Sequence, residues 1–160
     1  METAVHITNH KRFIVREVMY KYRTLENVPD KFKNLTITGP NDVVDAFHDL
    51  FEGSCKEKFY VVWLNAKNGV MGWECISVGN LNATVVSPRE IFSLAVKYRV
   101  GLIIIMHNHP SGEPEPSSED KLITKQLVES GKILGIPVHD HIIFTDSKSK
   151  YTSFAERGLL

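Results

Sequence analysis

Leu102-Ile103-Ile104-Ile105-Met106-His107-Asn108-His109-Pro110-Ser111-Gly112-Glu113-Pro114-Glu115-Pro116-Ser117-Ser118-Glu119-Asp120 is the stretch from which the fold and the chemistry of this chain are read. The apolar run from Gly101 to Met106 predicts a strand buried on both faces. Two histidines at i and i+2 beyond it point to the same side if the strand persists. A prolyl loop from Pro110 to Pro116 follows, and Ser117-x-x-Asp120 reads as the capping-box start of a helix ending near Gly131. Paired neutral imidazoles plus a carboxylate from the next helix are the usual beginnings of a zinc site. Three protein ligands leave a fourth position for water, the catalytic rather than the structural arrangement. Taken separately, each half has an ordinary structural reading. A His-x-His pair is a weak signal, and a second one stands at His139 and His141. The combination, in this order, is what points to a metal.

Working outward, Gly39-Pro40-Asn41-Asp42 opens a helix whose Val43, Val44, Phe47, Leu50 and Phe51 share one face, with Gly53 as its stop. Phe59-Tyr60-Val61-Val62-Trp63-Leu64 is β-branched and aromatic, hence a strand. Asn68-Gly69 marks a tight hairpin turn, and Val70 to Val78 returns as the partner. Thr84 to Val86 reads as a short strand, Pro88 starts a helix running to about Tyr98, and residues 137–144 form a further strand. Phe13 to Tyr22 reads as a strand within an N-terminal extension, residues 1–35, ahead of a domain at 36–160. A hairpin followed by alternating strands and helices predicts a mixed α/β fold, a central mixed sheet flanked by helices.

Composition bounds the function. The chain has 160 residues, 42% of them hydrophobic, which suits one domain with a real core. Lys plus Arg number 19, as do Asp plus Glu, so net charge offers little general grip on nucleic acid. The basic excess is local, seven Lys/Arg against four acids in residues 1–34. No apolar run approaches the ~20 residues that span a bilayer, and the N-terminus lacks a secretory pattern, so a cytoplasmic location without membrane contact is expected. Cys55 and Cys75 are too few for a disulfide framework or a four-cysteine zinc site.

The pattern His-x-His, seven residues, Ser, two residues, Asp resembles the metal-binding motif of the JAMM (JAB/MPN+) metalloproteases. The fuller run His107-Asn108-His109-Pro110-Ser111-Gly112-x-Pro114-x-Pro116-Ser117 is similar to the RadC-like branch of that superfamily. Glu57-Lys58-Phe59, Ser87-Pro88-Arg89-Glu90-Ile91-Phe92, Asp140-His141-Ile142-Ile143 and Tyr151-x-Ser153-Phe154 agree in the same order, so the resemblance covers about residues 36–158. Asn80 after Gly79, where the branch usually has Thr, and Ser87, where it often has His, are departures outside the metal motif. Residues 1–38 show no counterpart of the helix-hairpin-helix region of longer RadC proteins, which points to the short, stand-alone members.

The resemblance implies a JAMM/cytidine deaminase-like fold and a zinc metallopeptidase. His107, His109 and Asp120 would hold Zn²⁺, Glu57 would be the general base, with Glu52 as the runner-up, and Ser117 would bind the developing oxyanion. If Ser117 were so occupied, Ser118 could cap the helix instead. The implied partner is a peptide or protein substrate, including ubiquitin-like modifiers. The apolar and basic segment at 13–23 reads as an edge strand, a dimer contact or a partner contact, which leaves the oligomeric state open. Two other functions compete: a protein-interaction scaffold on the same fold, and a DNA-repair role, against which the balanced charge counts. A zinc deaminase shares the metal chemistry, but its His-x-Glu and Pro-Cys-x-x-Cys pattern is absent. From position alone, Asp140 and His141 are read equally as support for a ligand histidine or as a satisfied pair on a strand edge. Asn108, Ser111 and Gly112 are read as shaping the loop, Glu90 as a helix-start residue, His139 as solvent-facing, and His6, His10 and His48 as ordinary.

Overall fold

A computed structural model describes residues 29–79 and 86–160. The expected strand at Phe13–Tyr22, His6, His10 and most of the expected strand at Thr84–Val86 lie outside the described residues. Within them the elements follow in the order α1 (Pro40–Phe47), β1 (Lys58–Leu64), β2 (Val70–Val78), α2 (Pro88–Lys97), β3 (Leu102–Asn108), α3 (Ser118–Leu134), β4 (Val138–Phe144) and β5 (Thr152–Ser153). Single 3-10 turns lie at Asp30–Phe32 and His48–Leu50. The five strands form one sheet in the order β2-β1-β3-β4-β5, mixed as the sequence pattern predicts, with β5 a short strand that the sequence reading did not include. The β3–β4 pair is parallel, with α3 as its crossover, and every other pairing is antiparallel.

β3 explains its own composition. It is paired on both edges and covered on both faces, so nearly every residue in it is buried. Ile104 and Met106 join the layer under α1, with Phe47, Phe51, Val62, Ile142 and Phe144. Ile103 and Ile105 join the opposite layer under α2 and α3, with Phe59, Ile91, Phe92, Ile123 and Leu127. Phe32 packs on the α1 side against Phe47 and Trp73, ring centroids 5.3 and 4.2 Å apart.

Local chemistry sets the element ends. Asn68 takes the left-handed conformation (φ 59°) at the β1–β2 turn, and the Asn65 carboxamide oxygen accepts from Lys67 N–H and Gly69 N–H at 2.8 and 3.0 Å. Asp42, at the third position of α1, accepts from the N–H groups of Thr38 and Gly39. These bonds hold the Asp42 carboxyl below its usual pKa, led by that of the Thr38 hydroxyl.

Two boundaries differ from the sequence reading. α1 ends at Phe47 and gives way to the 3-10 turn His48–Leu50 instead of running to a stop at Gly53. α3 does not stop near Gly131 but runs on to Leu134 and ends at Gly135 in the left-handed conformation (φ 69°). Gly131 lies inside the helix because the chain folds back over it: Ile136 N–H donates to the Gly131 carbonyl at 2.9 Å, leaving no room for a side chain. Among the described residues, no helix is long and apolar enough to cross a membrane.

Candidate metal centre

The strand does persist past the apolar run. β3 continues through His107 to Asn108, and His109 N–H still donates to the Phe144 carbonyl of β4 at 2.9 Å. His107 is completely buried, and His109 lies at the strand's open end with its side chain 14% exposed. The prolyl loop turns at Gly112 (φ 78°), one of the places where its sequence needs a glycine. Glu113 and Glu115 pair with Lys150 and Arg157 at 2.9 and 2.7 Å, tying the loop to the C-terminal segment.

The loop delivers the start of α3 to the histidines. Ser117 is the N-cap, so the alternative that Ser118 caps the helix does not hold. Its Oγ accepts from Asp120 N–H at 3.1 Å, while its own O–H donates to Asp120 Oδ2 at 2.7 Å and its N–H donates to the same oxygen at 2.8 Å. Asp120 is thus the third residue of a capping box with both carboxylate oxygens toward the histidines. Oδ1 stands 3.2 Å from His107 Nε2, Oδ2 3.3 Å from His109 Nε2, and the two Nε2 atoms are 3.1 Å apart. His107, His109 and Asp120 form the one group of three metal-capable side chains among the described residues.

The triangle fits a zinc ion. Zn–N and Zn–O bonds of about 2.0–2.1 Å in a tetrahedron put neighbouring donor atoms ~3.3 Å apart. Here the two Nε2 atoms are 3.1 Å apart, and each faces its own carboxylate oxygen of Asp120 at a similar spacing, Oδ1 at 3.2 Å from His107 and Oδ2 at 3.3 Å from His109. His109 Nδ1 faces the Glu113 carbonyl at 2.7 Å. A carbonyl only accepts, so Nδ1 carries the proton and neutral His109 presents its Nε2 lone pair to the triangle.

Electrostatics agree. Burial alone would raise the Asp120 pKa, but hydrogen bonds from His107 and His109 and the charge on His107 outweigh it and hold the carboxyl far below its usual range. The Asp120 hydrogen bond raises the His109 pKa against the opposing effect of burial, and the Glu57 carboxylate adds to the rise. Without a cation, a proton on His109 takes the place that a metal would fill.

Glu57 immediately precedes β1 and is half-buried. Its segment is clamped from the site itself. Asn108 Oδ1 accepts from Lys58 N–H at 2.8 Å and Nδ2 donates to the Lys56 carbonyl at 3.2 Å, so one carboxamide grips both residues flanking Glu57. Asn108 therefore shapes the glutamate's segment rather than the prolyl loop. Glu52 is exposed, in the turn region ahead of β1.

Asp140 and His141 part company. The β3–β4 register shifts between Ile103 and Ile104, which pair with Val138 and Asp140 and leave His139 over, exposed. Beyond the shift Asp140 turns away from the histidines. Its carboxylate accepts from the Ser153 hydroxyl and from the N–H groups of His141 and Ala155, and burial raises its pKa against those bonds. His141 turns toward the site. Its Nε2 is 2.8 Å from His107 Nδ1, its Nδ1 is 2.6 Å from Thr124 Oγ1, and Phe154 stacks on its ring. Burial, then the charge of His107, holds its pKa well below the ordinary value. Thr124 was not singled out from sequence, although its spacing of four from Asp120 puts it on the same helix face. His48 is buried against the Thr145 carbonyl, and Cys55 and Cys75 are free and exposed.

The family model of the RadC-like JAB domain matches residues 37–159. The chain belongs to this family. It is 45% identical over 126 residues to a UPF0758 protein of Caldanaerobacter subterraneus, covering 79% of this chain and 53% of that one. It is 44% identical over 138 residues to a UPF0758 protein of Salinibacter ruber, covering 86% and 58%. A UPF0758 protein of Symbiobacterium thermophilum is 50% identical over 104 residues, covering 65% and 44%. The chain spans roughly half the length of these curated relatives.

Proposed function

We propose that this domain is a zinc-dependent hydrolase of amide bonds, a peptidase or isopeptidase with a peptide or protein substrate, ubiquitin-like modifiers among them. The observation that carries the reading is the convergence of His107, His109 and the Asp120 carboxylate, close enough to share one metal ion, beside a half-buried glutamate whose charge His109 feels. His107, His109 and Asp120 would hold the metal. Bound zinc supplies a water acidified to a pKa near ~7 and a Lewis acid for the substrate carbonyl. Glu57 accepts the proton of the attacking water and returns it to the leaving amine. Ser117 donates to Asp120 Oδ2 at rest and turns its O–H to the carbonyl oxygen as negative charge builds there. Asn108 keeps the glutamate's backbone in place while this happens.

The test is zinc content, followed by hydrolysis of a panel of peptides and isopeptide-linked conjugates. Glu57→Gln is expected to keep one equivalent of zinc and to lose about 10²–10⁴-fold in turnover. A Glu57→Gln protein that cleaves as fast as wild type removes the glutamate from the mechanism.

Zinc binding itself has a predicted pH dependence. A metal can bind only the deprotonated imidazole, so protons compete below the histidine pKa. The His109 pKa is raised from 6.5. The apparent zinc affinity should therefore start to fall above pH 6.5 as the pH is lowered, steepening toward about tenfold per pH unit for each proton displaced. Competition against a chromophoric chelator between pH 8 and pH 6 measures this. A flat profile over that range counts against His109 as a ligand.

A further inference from the structure

We propose that Thr124 and His141 form a positioning relay that fixes which nitrogen of His107 carries its proton, and so aims the Nε2 lone pair of His107 at the metal position. The inference rests on the metal-site reading above and extends it to two residues outside the ligand set.

Donor counting carries it. The Thr124 hydroxyl has one proton, and it is committed: Oγ1 donates to the Asp120 carbonyl at 2.5 Å. Thr124 can therefore only accept from His141, and His141 Nδ1, 2.6 Å away, must be the N–H. His141 is fully buried among apolar rings. It holds one proton, which leaves Nε2 as an acceptor. His107 Nδ1, 2.8 Å from that nitrogen, must then be the donor. With its proton on Nδ1, neutral His107 carries its lone pair on Nε2, the atom facing Asp120 Oδ1 and His109 Nε2. The chain of bonds leaves Asp120 through its backbone carbonyl and ends at His107, whose Nε2 faces the Asp120 carboxylate across the metal position, so it ties two of the three ligands together.

The usual orienting partner of a ligand histidine is a carboxylate or a backbone carbonyl. An imidazole differs in that it can donate or accept at Nε2. It orients His107 only while its own proton is held at Nδ1, and Thr124 Oγ1 is the group that holds it there.

Zinc titrations of wild type, Thr124→Val and Thr124→Ser against a chromophoric chelator test the relay. Valine keeps the shape and removes the acceptor, whereas serine restores it. Thr124→Val is expected to bind zinc about tenfold or more weakly, and Thr124→Ser within about threefold of wild type, on the scale of other ligand-orienting partners. Long-range ¹⁵N correlation spectra of the zinc-loaded wild type should show His141 neutral and protonated on Nδ1, a signature that a purely packing role does not require. This spectrum also decides the matter if the valine variant fails to fold. Wild type that takes up no zinc overturns the metal-site reading and the relay together. Zinc-binding wild type with an equally tight Thr124→Val, or with His141 protonated on Nε2, overturns the relay alone.

Discussion

Replacing His107 by alanine is expected to strip the protein of zinc and also to destabilise the metal-free fold. Zinc sites in small folded units are worth about 10–16 kcal/mol, or ~3–4 kcal/mol for each of four ligands, so loss of one costs about 10²–10³-fold in affinity. His107 has a structural role as well, because it is fully buried, stacks on Phe59 and gives His141 its hydrogen-bond donor. The alanine leaves a cavity and an unpaired buried nitrogen, together about 2–4 kcal/mol. His109→Ala separates the two effects. It removes a ligand from the rim of the site and should lose zinc with only about 1 kcal/mol of stability, since the side chain is partly exposed. Metal analysis and thermal melts of the chelator-treated proteins measure both. One full equivalent of zinc retained by His107→Ala would sink the metal centre described above.

Gly131→Ala is expected to destabilise strongly at a place where helix propensity alone predicts the opposite. In a helix interior, alanine is favoured over glycine by about 1 kcal/mol. Here the added Cβ would run into the Ile136 carbonyl oxygen and press on the Phe92 ring at 3.3 Å. The obstructing atom is backbone, held by the Ile136 N–H to Gly131 carbonyl bond, and cannot swing away as a side chain could. Overpacking of this kind costs about 1–3 kcal/mol or more, and the segment that must move leads straight into β4. A net loss of about 2–3 kcal/mol corresponds to ~5–10 °C in Tm for a domain of this size. A variant melting at or above wild type would mean that the turn from α3 to β4 is looser than these contacts imply.

The parts of the site that the sequence disclosed are those written in local grammar. An apolar run, two histidines past its end, a prolyl loop and a Ser-x-x-Asp box each announce a local structure, and their order announces the site. Gly131 misled for the same reason: a glycine near a helix end reads as a stop, whereas its cause is a carbonyl approaching from five residues on. His141 could not be assigned because its direction depends on the register shift at His139. Strict alternation from Val138 would have turned His141 away from the layer that holds α3. Asn108 was hidden in another way. Its carboxamide acts on residues 50 and 52 positions away, across a β1–β3 pairing that no short-range pattern specifies.

The place of β3 in the sheet has a consequence for how the domain would come apart. β3 is hydrogen-bonded along both edges, while β2 is an outer strand and β5 is two residues long. Amides in such outer elements exchange with solvent through small local openings, whereas those of a central strand exchange only when the whole domain unfolds. The two histidines are attached to that last-opening strand. A metal held there stabilises the domain against global unfolding more than against fraying, and its contribution grows as RT ln(1 + [L]/Kd). Zinc at this position would slow deuterium uptake throughout β1, β3 and β4 while leaving β5 almost untouched, and a chelator would act on the fold as a mild denaturant.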